Sequence, residues 1–87
     1  MSQLFYHLHI QRIDAARNMA RFYSLAIEPT LFGNIRVVRN WGRIGTRGRE
    51  RADFFENETQ ALSHFLEILR TKRLKGYRPQ PASQNLK

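Results

Sequence analysis

The chain contains no cysteine. That excludes a disulfide framework, a thiolate zinc site and a cysteine nucleophile. A small domain without those staples holds together by packing or by association. Long apolar runs are missing as well. The longest is three residues, as in Leu25-Ala26-Ile27, against roughly 18 for a membrane-spanning helix. The N-terminus lacks a signal-peptide layout, because His7, His9 and Gln11 interrupt its apolar residues. These absences predict a soluble, cytoplasmic protein without a membrane partner. Acid is also scarce. Seven Asp and Glu stand against fifteen Lys and Arg in 87 residues, a net charge of +8. Such an excess attracts polyanions. The length allows one domain with one modest core.

Twelve of the fifteen cations are arginine, whose planar fork grips phosphate bidentately where lysine acts as a point charge. A GC-rich codon bias would also enrich arginine, but it would scatter the residues. Here Arg36, Arg39, Arg43, Arg47, Arg49 and Arg51 fall within sixteen residues, opposed only by Glu50. Arg70, Lys72, Arg73, Lys75 and Arg78 form a second cluster without an acid.

The patterning predicts an α+β fold: a small antiparallel β-sheet of about four strands in a meander, with one C-terminal helix packed on one face. Leu4, Tyr6, Leu8 and Ile10 alternate with Phe5, His7, His9 and Gln11, the period of a half-buried strand over 4–12. Asp14 to Asn18 is a polar connection. Residues 19–28 alternate again, with apolar residues on both faces, so the pattern leaves the buried face open. Pro29 ends that strand, and 31–34 turn into a third strand over Ile35–Ile44. Gly45-Thr46-Arg47-Gly48 supplies a turn, and 49–55 form a fourth strand. Asn57-Glu58-Thr59-Gln60 fits a capping box. A helix of about 18 residues follows, apolar at Ala61, Leu62, Phe65, Leu66, Ile68 and Leu69 and closed by Gly76. The domain is expected over 1–78. Pro79, Pro81, Ser83, Gln84 and Asn85 mark a flexible C-terminal tail over 79–87.

Residues 41–48, Trp-Gly-Arg-Ile-Gly-Thr-Arg-Gly, hold the single tryptophan and three of the five glycines. Residues two apart on a strand share a face, so Arg39, Trp41 and Arg43 project together. Gly42 adds no side chain opposite them. A flat ring flanked by guanidinium groups suits a sugar-phosphate backbone, the ring on the sugar or an end base and the arginines on phosphates. A core tryptophan with arginines reaching to solvent fits the same pattern, and the residues alone leave both readings open.

The chain resembles the WGR domain family. The resemblance rests on Arg21-Phe22-Tyr23, the strand from Asn34 to Arg39 leading into Trp41-Gly42-Arg43-Ile44-Gly45, the Phe54-Phe55 pair, the Ala61–Leu69 helix and the closing Lys72–Tyr77 segment. These stand in the family's order over about residues 4–78. The resemblance implies a small antiparallel sheet with one helix, as found in DNA-break-activated poly(ADP-ribose) polymerases and in short bacterial stand-alone proteins. It assigns Trp41 to the sugar at the 5′ end of a broken strand. In the polymerases the motif arginine also serves contacts between domains, so Arg43 inherits its role only in part. ADP-ribosylation does not carry over.

The expected function is therefore a non-enzymatic nucleic-acid-binding module for DNA, with no cofactor. Trp41, Gly42 and Arg43 form its centre, Arg39, Arg47 and Arg49 hold phosphates, and Lys72, Arg73 and Lys75 extend the patch. The alternative is a protein-interaction domain docking an acidic partner or a second copy of itself. RNA is a third reading, although the paired aromatics of common RNA-recognition sheets are missing. His7, His9 and His64 are enough for zinc, but surface roles fit their spacing better. Glu50, Asp53, Glu56 and Glu58 read as solvated faces and cap chemistry rather than an acid–base pair.

Overall fold

The computed structural model describes residues 6–79. Four strands run as an antiparallel meander: β1 (Tyr6–Asp14), β2 (Met19–Pro29), β3 (Ile35–Arg43) and β4 (Arg49–Phe55). Helix α1 (Glu58–Leu74) follows, and a two-residue strand, β5 (Arg78–Pro79), closes the sheet in the order β4-β3-β2-β1-β5. The fold is α+β, with the helix on one face. The fifth strand is the departure from the expected four. Pro79, assigned by the sequence to the tail, pairs with Ile10. The remainder of that tail, 80–87, lies outside the described residues, as do the first residues of the strand expected from 4.

Register decides which face of each strand is buried, because residues directly opposite share a face. Ile10, Leu25, Ile27, Val37, Ile35 and Tyr23 lie under the helix and meet Ala61 and Phe65. The apolar residues on both sides of β2 thereby sort out. Tyr23, Leu25 and Ile27 face the helix. Phe22 faces the other way, yet is only 9 % exposed. The 45–48 turn curls back over it, so that a Cβ at Gly48 would stand 2.8 Å from the Phe22 ring and 2.3 Å from the Trp41 carbonyl oxygen. A Cβ at Gly42 would stand 2.8 Å from the Gly48 Cα. Gly48 also has φ +75°, a region that favours glycine. The motif glycine at 42 therefore serves close packing of this turn against the strand.

The helix ends as its sequence signals require. Asn57 Oδ1 accepts the Gln60 backbone N–H at 2.9 Å. At the other end the Tyr77 N–H donates to the Lys72 carbonyl at 3.1 Å, and the Gly76 N–H to that of Arg73 at 3.0 Å. With Gly76 at φ +100° this is a Schellman closure. It swings Tyr77 into the core and delivers Arg78 and Pro79 to β1. Gly76→Ala forces a Cβ into the left-handed region and is expected to cost about 1–2 kcal/mol; urea denaturation followed by circular dichroism measures it.

Candidate nucleic-acid interface

The helix covers only part of its sheet face. Beyond it the same face continues as two cross-strand rows. The first runs Arg49, Trp41, Tyr23, Ile10, and the second runs Arg43, Arg21, Arg12. Burial falls along this direction: Tyr23 is buried, Trp41 half-buried, and Arg43, Arg21 and Arg49 are exposed. The two readings of Trp41 left open by the sequence are thus both partly met. Its ring stacks on Tyr23 at 5.9 Å between centroids and 20° between planes, against the core, while the residue stays only partly buried.

Cations gather around this stack. Lys72 comes down from the last turn of α1, its Nζ 4.5 Å from the Tyr23 ring centroid and 5.6 Å from that of Tyr77. Its pKa is lowered from the ordinary 10.5, first by partial burial, then by the charges of Lys75, Arg39 and Arg21. Lys72 is therefore repelled by three neighbouring cations. An anion placed among them relieves that repulsion. Arg43 donates from Nη1 to the Asn18 carbonyl at a long 3.4 Å and leaves most of its fork exposed. Arg49 lies opposite Trp41, and Arg47 sits at the tip of the exposed turn. Neither has an acidic partner among the described residues.

Two expected positions come out differently. Arg39 is tied to Asp53, Nη2 to Oδ2 at 3.2 Å, with its side chain only 20 % exposed. Asp53 also accepts from Arg51 Nε at 3.3 Å and lies 3.4 Å from His64 Nε2. Partial burial opposes ionisation of Asp53, but Arg51, Arg39 and His64 outweigh it and hold the carboxyl below its ordinary value. Arg39 is therefore a fixed positive wall beside Trp41, not a free phosphate clamp. Arg73 departs further. Successive helical residues are about 100° apart, so Lys72 turns toward Tyr23 while Arg73 turns to the opposite flank, beside Leu8 and Ile10. Lys75 stays on the Lys72 side and is exposed.

The sequence reading missed Arg12 and Arg21 as part of this surface. Their alternation was visible, but their place beside Arg43 depends on pairing across three strands. The histidines divide as well. His7 and His9 lie on the face away from the helix, where His7 Nε2 pairs with Ser24 Oγ at 3.0 Å and His9 stacks on Phe22. His64 sits on α1 against Phe55, so the three cannot share one ion.

The structure is a small α+β domain, an antiparallel sheet with one helix, that sets a tryptophan among cations beside a glycine turn. The profile of the WGR domain family matches residues 6–84, and the chain belongs to that family. WGR domains are known as nucleic-acid-binding modules of poly(ADP-ribose) polymerases. The chain is 51 % identical over 77 residues to the uncharacterized protein y4dW of Sinorhizobium fredii, covering 88 % of this chain and 38 % of that protein. It therefore spans well under half the length of that relative. No solved structure matches the chain.

Replacing Asp53 by asparagine is expected to cost under about 1 kcal/mol at pH 7, since the pairs it breaks are partly solvated. The sign follows from the lowered pKa. The carboxylate stabilises the fold above its unfolded-state pKa, and this contribution is lost as pH falls through the lower folded-state value. Thermal melts of D53N and the parent chain should therefore converge in acid.

Proposed function

We propose that this domain is a non-enzymatic DNA-binding module that grips phosphates around Trp41 and prefers strand ends. The observation that carries the proposal is the Trp41 ring, stacked on Tyr23, half-buried, and set near Arg43, Arg47, Arg49 and Lys72, which have no acidic partner among the described residues. A rigid apolar ring matches the face of a terminal sugar or base. Arg43, Arg47 and Arg49 reach phosphates on one side, and Lys72 and Lys75 on the other. Arg21 and Arg12 continue the track along the sheet. Arg39 contributes a fixed positive charge. A closed duplex covers its base faces by stacking and flanks each sugar with neighbouring nucleotides, whereas an end exposes a base face and one side of the terminal sugar, so the ring adds most affinity at an end.

Two measurements test this. With about five phosphates neutralised, log K should fall against log salt with a slope of roughly −4 to −5. A flat dependence removes the electrostatic grip. Trp41→Ala should weaken binding to nicked or linear duplex more than to closed circular duplex, while Arg47→Ala with Arg49→Ala weakens all three alike. Equal loss on every substrate for W41A removes end recognition and leaves backbone binding.

A further inference from the structure

Asp53 has two oxygens and meets three basic side chains. Its Oδ2 lies 3.2 Å from Arg39 Nη2 and 3.4 Å from His64 Nε2, and its Oδ1 accepts from Arg51 Nε at 3.3 Å. Arg39 and His64 thus converge on one oxygen from different elements, β3 and α1. Neither is fully satisfied there. Arg39 Nε and His64 Nε2 are buried and have no hydrogen-bond partner among the described residues. There is also room for change. Arg39 and His64 border, with Tyr23, Glu67 and Lys72, a recess of about 300 Å³. Trp41 stacks on Tyr23, so this recess adjoins the proposed DNA site.

Imidazole is the side chain that gains its charge between about pH 8 and pH 5. Asp53 remains a carboxylate through that range, because its carboxyl is held below its ordinary value. The charged and titratable groups around His64 are Asp53 and Arg51 from β4, Arg39 from β3, Tyr23 from β2, and Glu67 and Lys72 from α1. Protonated His64 presents an N–H at both ring nitrogens, and its Nε2 already faces Asp53 Oδ2. The imidazolium therefore competes with Arg39 for that oxygen and repels the guanidinium. Arg51 and Lys72 add to the repulsion. Glu67, the other acid at the recess, is exposed and screened by water.

We propose that Arg39 is a latent phosphate ligand of the Trp41 site, held by Asp53 while His64 is neutral and released toward DNA when His64 is protonated. This coupling rests on the reading of the surface as a DNA site. A phosphate taken by Arg39 favours proton uptake at His64, and by reciprocity acid tightens binding. His7 and His9 cannot supply the coupling, because they lie on the face away from the helix.

The test is the affinity of the full chain for a fluorescein-labelled nicked duplex, followed by anisotropy from about pH 8 to about pH 5.5 at fixed ionic strength. Affinity should rise about five- to tenfold. The rise should shrink to about twofold or less in both His64→Gln and Arg39→Gln, and combining the two should remove no more of it. Asp53→Asn should bind at pH 8 nearly as tightly as the parent chain does in acid. His7→Gln with His9→Gln should keep the rise. An equal rise in H64Q and the parent overturns the proposal. So does a full rise in R39Q, which would make His64 only an added charge. Circular dichroism checks that the variants fold, and the parent chain supplies a readout without them. Its Arg39 Nε–H resonance should lose protection from solvent exchange as the His64 ring titrates, and a signal unchanged through that titration overturns the proposal as well. No binding to any DNA at any pH sinks the DNA reading and this coupling with it, whereas binding of pH-independent affinity sinks the coupling alone.

Discussion

The candidate surface leans on the ring of Tyr23. That side chain is 4 % exposed and belongs to the core. Trp41 stacks on it, Tyr77 meets it edge-on at 6.1 Å, and the Lys72 ammonium sits over it. One buried ring thus fixes an apolar platform, the end of the helix and a cation at once. The consequence is pre-organisation. An unsupported surface tryptophan loses rotamer freedom on binding, and that loss subtracts from affinity. Here the ring is already oriented by its stacking on Tyr23.

Two turns keep Tyr23 in this position, and both depend on glycine. The 45–48 turn can lie against β3 and Phe22 only because Gly42 and Gly48 lack a Cβ. It anchors the strand carrying Trp41 from the face away from the helix. The Schellman closure at Gly76 returns the chain so that Tyr77 packs beside Tyr23 instead of continuing into solvent. The WGR tripeptide therefore combines two kinds of demand. Its tryptophan and arginine present chemistry, and its glycine lets the neighbouring turn approach closely enough to hold them.

What the sequence disclosed follows the range of each interaction. Helix ends are local events, so Asn57 with Gln60 and Gly76 announced them within one residue of where the caps form. Strand periodicity placed β1, β3 and β4. It could not orient β2, because Phe22 is buried by a turn some twenty residues away and mimics a second core face. The two-residue β5, ending in proline, has no periodicity to detect. Arg39 looked like a free phosphate ligand because Asp53 lies fourteen residues on, and only the β3–β4 register brings them together. Arg12 and Arg21 escaped for the same reason in reverse: no local signal tells that three strands set them in line with Arg43.

The basic C-terminal cluster shows most plainly why charge counted along a sequence misleads. Lys72 and Arg73 are adjacent in the chain, yet the helix turns them to opposite flanks. On one flank Lys72 and Lys75 join Arg21 and Arg39 around aromatic rings. On the other Arg70, Arg73 and Arg78 surround leucines beside β1. The surroundings differ in kind: flat rings and glycine on one side, a branched aliphatic trough on the other. A single helix on a small sheet can therefore spread one run of cations over two chemically different surfaces.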